Sequence, residues 1–261
     1  FKVKVIAENT KNNSKGEVLS IVKGEKTFLG GFSINDRSKA IDELMNNLSK
    51  YGVKVIYKKA NASNEENINE IINELQAKDN IRIKMLIHSI AFGTLKNMIT
   101  EDNKGLNKKN IDMTLDVMCN SLIYWSQELY KNNLLKAGSH IIAMTSAGGR
   151  KNWHSYGAVS LAKAGIESVC RQLSIELAHA QVAVNAIQAG VTDTPALRKI
   201  PGNETMLERT LYINPSSRLT TPDDIAHVVS LIGLSHHTWM TGNVIRVDGG
   251  EDIVGWLILQ K

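Results

Sequence analysis

The segment HIIAMTSAGGRKNWHSYGAVSLAKAGIESVCRQLSIELAHAQVAVNAI, residues 140–187, decides the fold. Its two ends, 140–145 and 182–187, are short apolar runs, which are typical of strands buried on both faces. Residues 155–179 between them carry apolar side chains at helical spacing and predict a long helix. A strand, a helix and a second apolar strand form a unit in which the two strands run parallel and the helix covers the sheet.

The same alternation continues on both sides of this segment. Upstream, the pattern predicts these elements in order: a helix over 36–50, a strand over 53–57, a helix after the turn at 61–64, a strand over 83–87 and a long helix over 111–134. Downstream, TPDD (221–224) has the proline and acidic residues of a helix start, and 244–247 predicts a last strand. The chain is therefore predicted to be an α/β protein with a doubly wound, Rossmann-like parallel sheet, forming a single domain over 1–261.

Composition excludes several other classes of protein. The 261 residues include 43% hydrophobic residues and a net charge of +5, but no long basic run with interleaved aromatic residues, so we expect no nucleic-acid partner. No apolar run reaches the ~18–20 residues of a membrane span, and no secretory signal opens the chain, so we expect a cytoplasmic protein. Cys119 and Cys170 lie in helical patterns, which favours buried free thiols over a disulfide or a metal site.

Three residues around the first strand and helix of the quoted segment suggest chemistry. Tyr156 and Lys163 are almost two helical turns apart, so both project from one helix face. A nearby ammonium stabilises phenolate, so we expect Lys163 to lower the pKa of Tyr156 and to make it a proton donor near neutral pH. Ser146 ends the neighbouring strand and could bind the same substrate oxygen. Taken alone, the spacing also fits a helix with one exposed tyrosine and one exposed lysine.

Several stretches together resemble the short-chain dehydrogenase/reductases over roughly residues 34–253. They are HSIAFGT (88–94), 144–178, VAVNAIQAGVTDTPA (182–196), SSRLTTPDDIAHVVSLI (216–232) and TGNVIRVDGGEDI (241–253). In most of that superfamily the tyrosine stands four residues before the lysine, where this chain has Val159. The longer spacing from Tyr156 to Lys163, together with HSIAFG, is similar to the bacterial enoyl-acyl-carrier-protein reductases.

The resemblance implies an activity and three roles. It implies NADH- or NADPH-dependent reduction of the trans-2 double bond of an enoyl thioester, carried by acyl-carrier-protein or CoA, in fatty-acid synthesis. Tyr156 would stabilise the enolate oxygen, Lys163 would hold the nicotinamide ribose, and Ser146 would occupy the serine position of the superfamily. The resemblance also implies a homotetramer formed through the helices at 111–134 and 155–178.

The same resemblance implies further residues that contact the cofactor or the substrate. The cofactor contacts implied are Asn61, Ala62, Ser89, Ile90, Ala91, Lys163, Gly190, Val191, Thr192 and Thr194. The stretch 195–211 matches a substrate lid, whose apolar members are Ala196, Leu197, Ile200 and Met206. Two simpler interpretations stay open: Asn61 and Ala62 form an ordinary turn, and the apolar lid residues are ordinary helix packing. His88 is read as a core histidine rather than as a catalytic base.

The chain departs from the family pattern near its start. The glycine-rich turn that grips phosphate between the first strand and the first helix is not found. We interpret residues 1–6 as the second strand, with the first strand, the turn and the first helix upstream, and 10–32 as an insertion. In that case Glu8 would favour NADH. If 27–33 form the second strand instead, Arg37 could accept the 2′-phosphate of NADPH. Met118 stands where many relatives have an asparagine.

Two other functions remain open at this point. A carbonyl or hydroxy-group oxidoreductase of the same fold would need a tyrosine at position 159, so Val159 argues against it. A non-catalytic relative without the glycine-rich turn is disfavoured by the presence of Ser146, Tyr156 and Lys163.

Overall fold

One sheet organises the protein. The computed structural model describes residues 2–9, 26–31, 54–58, 60–77 and 81–255. Its strands are β1 (Lys2–Asn9), β2 (Lys26–Gly31), β3 (Lys54–Lys58), β4 (Ile81–Ser89), β5 (Leu135–Ser146), β6 (Ala183–Ala189) and β7 (Val244–Val247). They lie side by side in the order β3-β2-β1-β4-β5-β6-β7.

Helices connect and cover these strands. They are α1 (Glu65–Gln76), α2 (Lys108–Leu115), α3 (Ser121–Lys131), α4 (Gly157–Glu176), α5 (Asn203–Ile213) and α6 (Pro222–Leu234). The helix start predicted at TPDD is confirmed, because the Thr221 hydroxyl accepts from the Asp224 amide while the Asp224 carboxylate accepts from the Thr221 amide. None of the helices in the described ranges is long and apolar enough to cross a bilayer. The helix predicted over 36–50 lies outside the described residues.

The strands β4 to β7 form the parallel part of the sheet that the sequence predicts. Ser146 of β5 pairs with Ala189 of β6, and Ala189 in turn pairs with Val247 of β7. The carboxyl ends of these strands therefore meet at one edge of the sheet, where ligands bind in such folds.

The amino-terminal strands differ from the prediction. The pattern over 1–6 does form a strand, but β1 lies between β2 and β4 and runs antiparallel to both. The position between β1 and β3 belongs to β2, which pairs with β3 in parallel. Reading 1–6 as the second strand is therefore wrong, and residues 26–31 of the predicted insertion belong to the sheet. Alternation of side chains identifies a strand, but it does not identify the strand's neighbours.

The central strands β4, β5 and β6 are buried on both faces over most of their length. On one face, Ile141 and Val184 pack with residues of α1, α3 and α4 in the larger core cluster. On the other face, Ile142 and Ile187 pack against Ile232 of α6. Successive residues of one strand thus enter different layers, which explains why these strands read as continuous apolar runs rather than as alternating ones.

The long helix predicted over 111–134 is interrupted. It consists of α2, a π-helical turn at Asp116–Asn120 and α3. An apolar period of about 3.6 residues does not reveal a single widened turn, because the flanking helices keep their own periods. The turn buries Met118, at the position where the family resemblance leads one to expect asparagine, and places the Asn120 side chain near the Tyr124 hydroxyl.

Candidate functional site

Ser146 and Tyr156 meet at the carboxyl edge of the sheet. Ser146 is the last residue of β5, and Tyr156 immediately precedes α4. The Ser146 hydroxyl lies close to the phenol, which packs against the larger core cluster. Gly148 makes this packing possible, since a Cβ there would lie 2.6 Å from Cε1 of Tyr156. The loop between the strand and the helix thus brings a serine and a tyrosine hydroxyl to one place.

Burial controls the acidity of Tyr156. It raises the pKa of the phenol above its ordinary value, and the nearby Ser146 hydroxyl opposes this only in part. The expected lowering of the pKa by Lys163 is therefore wrong for the protein alone, because loss of hydration dominates the pKa and the opposing effect comes from Ser146. A phenol with a raised pKa keeps its proton at neutral pH and can donate it to an oxygen that becomes negative.

Lys163 lies inside the protein rather than on an exposed helix face. Only 8% of the residue is exposed, and its Nζ donates to the backbone oxygen of Met144 at 2.7 Å. Burial lowers the pKa of Lys163 to about 8, while the nearby Glu167 carboxylate acts in the opposite direction. Glu167 is itself buried and accepts from the Thr145 hydroxyl at 2.8 Å. The interpretation of Tyr156 and Lys163 as two exposed residues is thus wrong.

His88 fills the space behind this site. It is fully buried near the end of β4, and its Nε2 lies 2.8 Å from the Ser121 hydroxyl, which donates to the backbone oxygen of Val117. Burial and the charge of Lys163 lower the pKa of His88 to about 3. The ring is therefore neutral at pH 7, and the prediction of a core histidine is confirmed, although its Nδ1 has no hydrogen-bond partner.

The loop after β6 contains four of the predicted cofactor contacts. The Gly190 amide donates to Val247, and the Val191 amide donates to the Glu251 carboxylate at 3.1 Å. The Thr192 hydroxyl donates to the Gly190 oxygen, and the Thr194 hydroxyl accepts from the Leu197 amide. The loop is thus held by backbone contacts at the same edge as Ser146, and its role toward a cofactor stays a prediction.

The other predicted cofactor contacts follow β3 and β4. Asn61 lies in a turn in which its side-chain oxygen accepts from the Ser63 amide and hydroxyl, while the Ala62 oxygen accepts from the buried Trp125 indole. Ser89 ends β4, and the next two residues are a buried Ile90 and an exposed Ala91. Asn61 therefore forms the ordinary turn that was one of its two interpretations. Its contact with a cofactor stays a prediction.

The predicted lid contains a short 3₁₀ turn at Leu197–Lys199 and most of α5. Ala196 is exposed, whereas three of the apolar lid residues are partly buried: Leu197, Ile200 and Met206. The lid is anchored by Trp153, whose indole Nε1 donates to the Pro201 oxygen at 2.8 Å. Gly202 follows in a left-handed conformation (φ 76°), and a Cβ there would lie 3.3 Å from the Trp153 ring. Trp153 was not predicted as a site residue, although a tryptophan in a polar loop beside Tyr156 is a usable signal.

Two further contacts hold the loop before Tyr156. The Asn97 side-chain oxygen accepts from the Ser155 amide at 3.0 Å and from the Ser155 hydroxyl at 2.9 Å, and Ser155 adopts a left-handed conformation. Asp252 pairs with Arg150 and Lys151 earlier in the same loop. These residues are far apart in sequence, so no local pattern indicated their contacts.

The described residues fit the nicotinamide end of a dinucleotide. Lys163 supplies a buried cation, and hydroxyl groups of Ser146, Thr192 and Thr194 lie on or just after strands that end at the same edge. Such an edge is the usual dinucleotide site of doubly wound sheets. The cradle for the pyrophosphate, a glycine-rich turn before a helix, was not found in the sequence.

Sequence comparison places these features in a known context. A family profile described as "Enoyl-(Acyl carrier protein) reductase" matches residues 30–251. The enoyl-[acyl-carrier-protein] reductase [NADH] FabI of Nostoc sp. is 28% identical over 195 residues, which is 75% of this chain and 74% of that protein. The FabI of Rickettsia prowazekii is 27% identical over 193 residues, covering 74% of this chain and 72% of its own length.

Solved structures share the fold. The enoyl-[acyl-carrier-protein] reductase (NADH) of Aquifex aeolicus matches with a TM-score of 0.75 at 23% identity, covering 87% of this chain and 86% of its own. The Bacillus cereus enoyl-acyl carrier protein reductase, solved with NADP⁺ and indole naphthyridinone, matches with a TM-score of 0.76 at 21% identity, with the same two coverages. At these identities the likeness supports the fold.

Proposed function

The chain belongs to the enoyl-(acyl carrier protein) reductase family of the short-chain dehydrogenase/reductases, and on that basis we propose that it reduces the trans-2 double bond of an enoyl thioester with NADH or NADPH. The single observation that carries the proposal is that Ser146 and Tyr156 lie together at the carboxyl edge of the sheet, while the buried Lys163 donates to Met144 on the same strand as Ser146. Sequence similarity to the FabI proteins supports the choice of substrate class.

The geometry suggests how the residues divide the work. When bound, the nicotinamide supplies a hydride to the β-carbon of the thioester, and negative charge then develops on the thioester oxygen. Tyr156 keeps its proton at neutral pH because of its raised pKa, so its hydroxyl can donate to that oxygen. Ser146 lies beside the phenol and would donate to the same oxygen.

Lys163 would contribute charge and binding. With a pKa of about 8, the buried amine is mostly an ammonium at pH 7, and it can donate to a ribose hydroxyl while keeping its bond to Met144. Glu167, held by Thr145, favours the charged form of Lys163. This arrangement supports a role for Lys163 in holding the cofactor rather than in donating the substrate proton.

The neighbouring residue Val159 weighs against the alternative reaction. In carbonyl reductases of the superfamily the catalytic tyrosine stands at this position of the helix, but Val159 is buried in the core cluster and has no group that can donate a proton. The available proton donor is Tyr156, about one helical turn away. This position suits enoyl reduction, because the hydride goes to the β-carbon while the charge develops further along, on the thioester oxygen.

The partners follow from the same proposal. The substrate is an enoyl thioester of acyl-carrier-protein or CoA, the cofactor is NADH or NADPH, and the protein acts as a homotetramer in the cytoplasm. Both cysteines are free and buried in the described structure, as the sequence predicts, which is compatible with a reducing compartment.

Turnover assays test the proposal directly. Purified protein is mixed with crotonyl-CoA or crotonyl-acyl-carrier-protein and with NADH or NADPH, and cofactor oxidation is followed by absorbance. We expect oxidation with crotonyl thioesters and none with a panel of ketones. Ketone reduction without thioester reduction supports the carbonyl oxidoreductase instead. Absence of any thermal shift with either nucleotide supports a non-catalytic relative.

A further inference from the structure

Two neighbouring acidic residues after β7 contact two different loops of the site. Glu251 contacts the loop after β6, and Asp252 contacts the loop between β5 and α4. We infer that Glu251 and Asp252 act as positioning residues that fix these two loops relative to each other, and we call this pair the acidic bridge. The inference rests on the proposed function, in which one loop meets the nicotinamide and the other carries Tyr156.

The Glu251 side of the bridge acts on the backbone. The residue is 8% exposed, and its Oε2 accepts from the Val191 amide at 3.1 Å. The Val191 oxygen accepts from the Thr220 amide at 3.1 Å, so the backbone N–H and C=O of Val191 are both hydrogen-bonded. A buried carboxylate that accepts from a backbone amide forms a charge-assisted hydrogen bond, which is stronger than a neutral one. Glu251 therefore fixes the loop at the residue next to Thr192.

Asp252 is surrounded by cationic side chains. Its side chain is 3% exposed and lies 2.5 Å from Nη2 of Arg150, 2.7 Å from Nζ of Lys151 and 3.4 Å from Nε of Arg246. Gln188 of β6 also donates to it at 3.1 Å. Burial acts against ionisation, but the hydrogen bonds from Lys151, Gln188 and Arg150 outweigh it and lower the pKa of Asp252 to about 2. The carboxylate thus stays ionised and ties the start of the Tyr156 loop to β6 and β7.

The two sides are joined by a stiff turn. The Asp248 carboxylate accepts from the Gly250 amide at 3.0 Å and from the Asp252 amide at 3.1 Å, and the Glu251 amide donates to the Asp248 oxygen. The buried Asn214 side chain donates to the same backbone oxygen at 2.9 Å. Because this turn is closed by its own hydrogen bonds, a shift of one acidic side chain moves the other, which couples the two loops.

The charges around Glu251 give the bridge a pH dependence. Burial raises the pKa of Glu251, the charges of Asp248 and Asp252 raise it further, and the Val191 amide and Lys151 oppose the shift. As the pH falls through this raised pKa, the carboxylate takes up a proton and its bond to the Val191 amide weakens. NADH binding should therefore weaken as the pH becomes acidic. This weakening should begin while Asp252 is still ionised, because the pKa of Asp252 is only about 2.

Three variants and a control separate the two sides. We expect Glu251→Ala to raise the KM for NADH about tenfold with kcat within about twofold, since it loses one charge-assisted hydrogen bond on the cofactor side. We expect Asp252→Asn to lower kcat about tenfold with a smaller change in KM, because it loosens the Tyr156 loop. Glu251→Gln keeps an acceptor oxygen, so it should restore KM at pH 7 and abolish the acidic rise in KM. Asp223→Asn removes an exposed acid from the start of α6 and should change none of these values.

Amide exchange tests the bridge without any turnover. Hydrogen exchange of the Val191 amide should be slow in the wild type, faster in Glu251→Ala and nearly unchanged in Asp223→Asn. A wild-type protein that does not reduce crotonyl thioesters contradicts the proposed function, whereas unchanged Val191 exchange in Glu251→Ala contradicts the bridge. The inference is also overturned if Glu251→Ala and Asp252→Asn change kcat and KM in parallel and Glu251→Gln keeps the wild-type pH profile. Such a result indicates a general loss of structure.

Discussion

At the scale of single residues, the proposed reaction depends most on the phenol of Tyr156. We expect Tyr156→Phe to lower kcat by about 100-fold or more, since it removes the proposed proton donor, and to leave NADH affinity within about twofold, since the ring and its packing stay. Steady-state turnover of crotonyl-CoA and a fluorescence titration with NADH measure the two effects. Near-normal turnover would remove Tyr156 from the mechanism.

The sequence predicts which residues belong to one local segment better than it predicts their acidity. The seven-residue step from Tyr156 to Lys163 predicts a shared helix face, and the structure places Tyr156 directly before α4 and Lys163 within it. Their pKa shifts arise from burial by distant elements, and the expected direction for Tyr156 is wrong for that reason. The contacts of Asp252 with Arg150 and Gln188 span 102 and 64 positions, which no local pattern reveals.

His88 makes stability sensitive to acid. Its pKa is about 3 in the folded protein and about 6.5 in an unfolded chain, so the unfolded chain binds more protons between these values. The free energy of unfolding should therefore fall as the pH drops below about 6.5, by up to about 1.4 kcal/mol per pH unit from this group. Burial lowers the pKa of His140 as well, which adds to the effect in the same direction.

Urea unfolding at about pH 7.5 and at about pH 5 measures this dependence. We expect His88→Asn to reduce the pH dependence, because the variant cannot take up that proton on unfolding. Replacing the exposed His154 by asparagine is the matched control and should leave the dependence close to that of the wild type. Equal pH dependence in His88→Asn and the wild type would contradict the assignment.

At the scale of elements, the predicted lid over 195–211 is held by a hydrogen bond from Trp153, which lies in another loop. Trp153→Phe keeps an aromatic ring beside Gly202 but removes the indole bond to the Pro201 oxygen. We expect a rise of about two- to tenfold in the KM for long-chain enoyl thioesters, with a smaller rise for crotonyl thioester, which needs less of the lid. Hydrogen exchange over residues 195–211 should accelerate in parallel.

The exposed Trp239 provides the control for this prediction. Trp239→Phe makes the same chemical change at a side chain that is 97% exposed, so neither KM nor lid exchange should change. If Trp153→Phe behaves like Trp239→Phe, the indole bond does not hold the lid.

Helix starts were predictable from sequence, whereas the interior of the long helix was not. The capping box of α6 uses Thr221 and Asp224, which are three positions apart and visible as a motif. The π-helical turn at Asp116–Asn120 leaves no such motif. Only the structure shows that this turn lies beside His88, because the His88 ring is bonded to Ser121, the first residue of α3.

At the scale of the whole molecule, the outer surface of α4 predicts association. Leu161 and Ile175 are large apolar side chains on this helix, and they are 45% and 72% exposed. We expect a homotetramer of about 115 kDa, four times the 28.8 kDa of one chain. Light scattering after size-exclusion chromatography measures this mass.

A paired variant tests whether this surface forms the contact. Leu161→Asp with Ile175→Asp places charges on the exposed side of α4 and should lower the measured mass to that of a dimer or monomer. The paired change Leu231→Asp with Trp239→Asp adds the same two negative charges at exposed apolar side chains outside α4 and identifies effects of surface charge alone. An unchanged mass in the α4 variant would place the interface elsewhere.

The order of the sheet was the least predictable property of the whole molecule. The strands β4 to β7 are joined by helices of the expected kind, so their parallel pairing follows from the alternation of elements. The placement of β1 depends on which strands its backbone can pair with across the sheet, and its antiparallel pairing with β4 joins residues about 80 positions apart.

The contact between the Trp153 indole and Pro201 also has an optical consequence. An indole that donates a hydrogen bond emits at a wavelength set by its surroundings, and this one lies between the loop of Tyr156 and the segment that would cover an acyl chain. Trp153 is therefore a natural fluorophore beside the predicted lid. In a variant whose other three tryptophans are replaced by phenylalanine, we expect its emission to shift when an enoyl thioester binds.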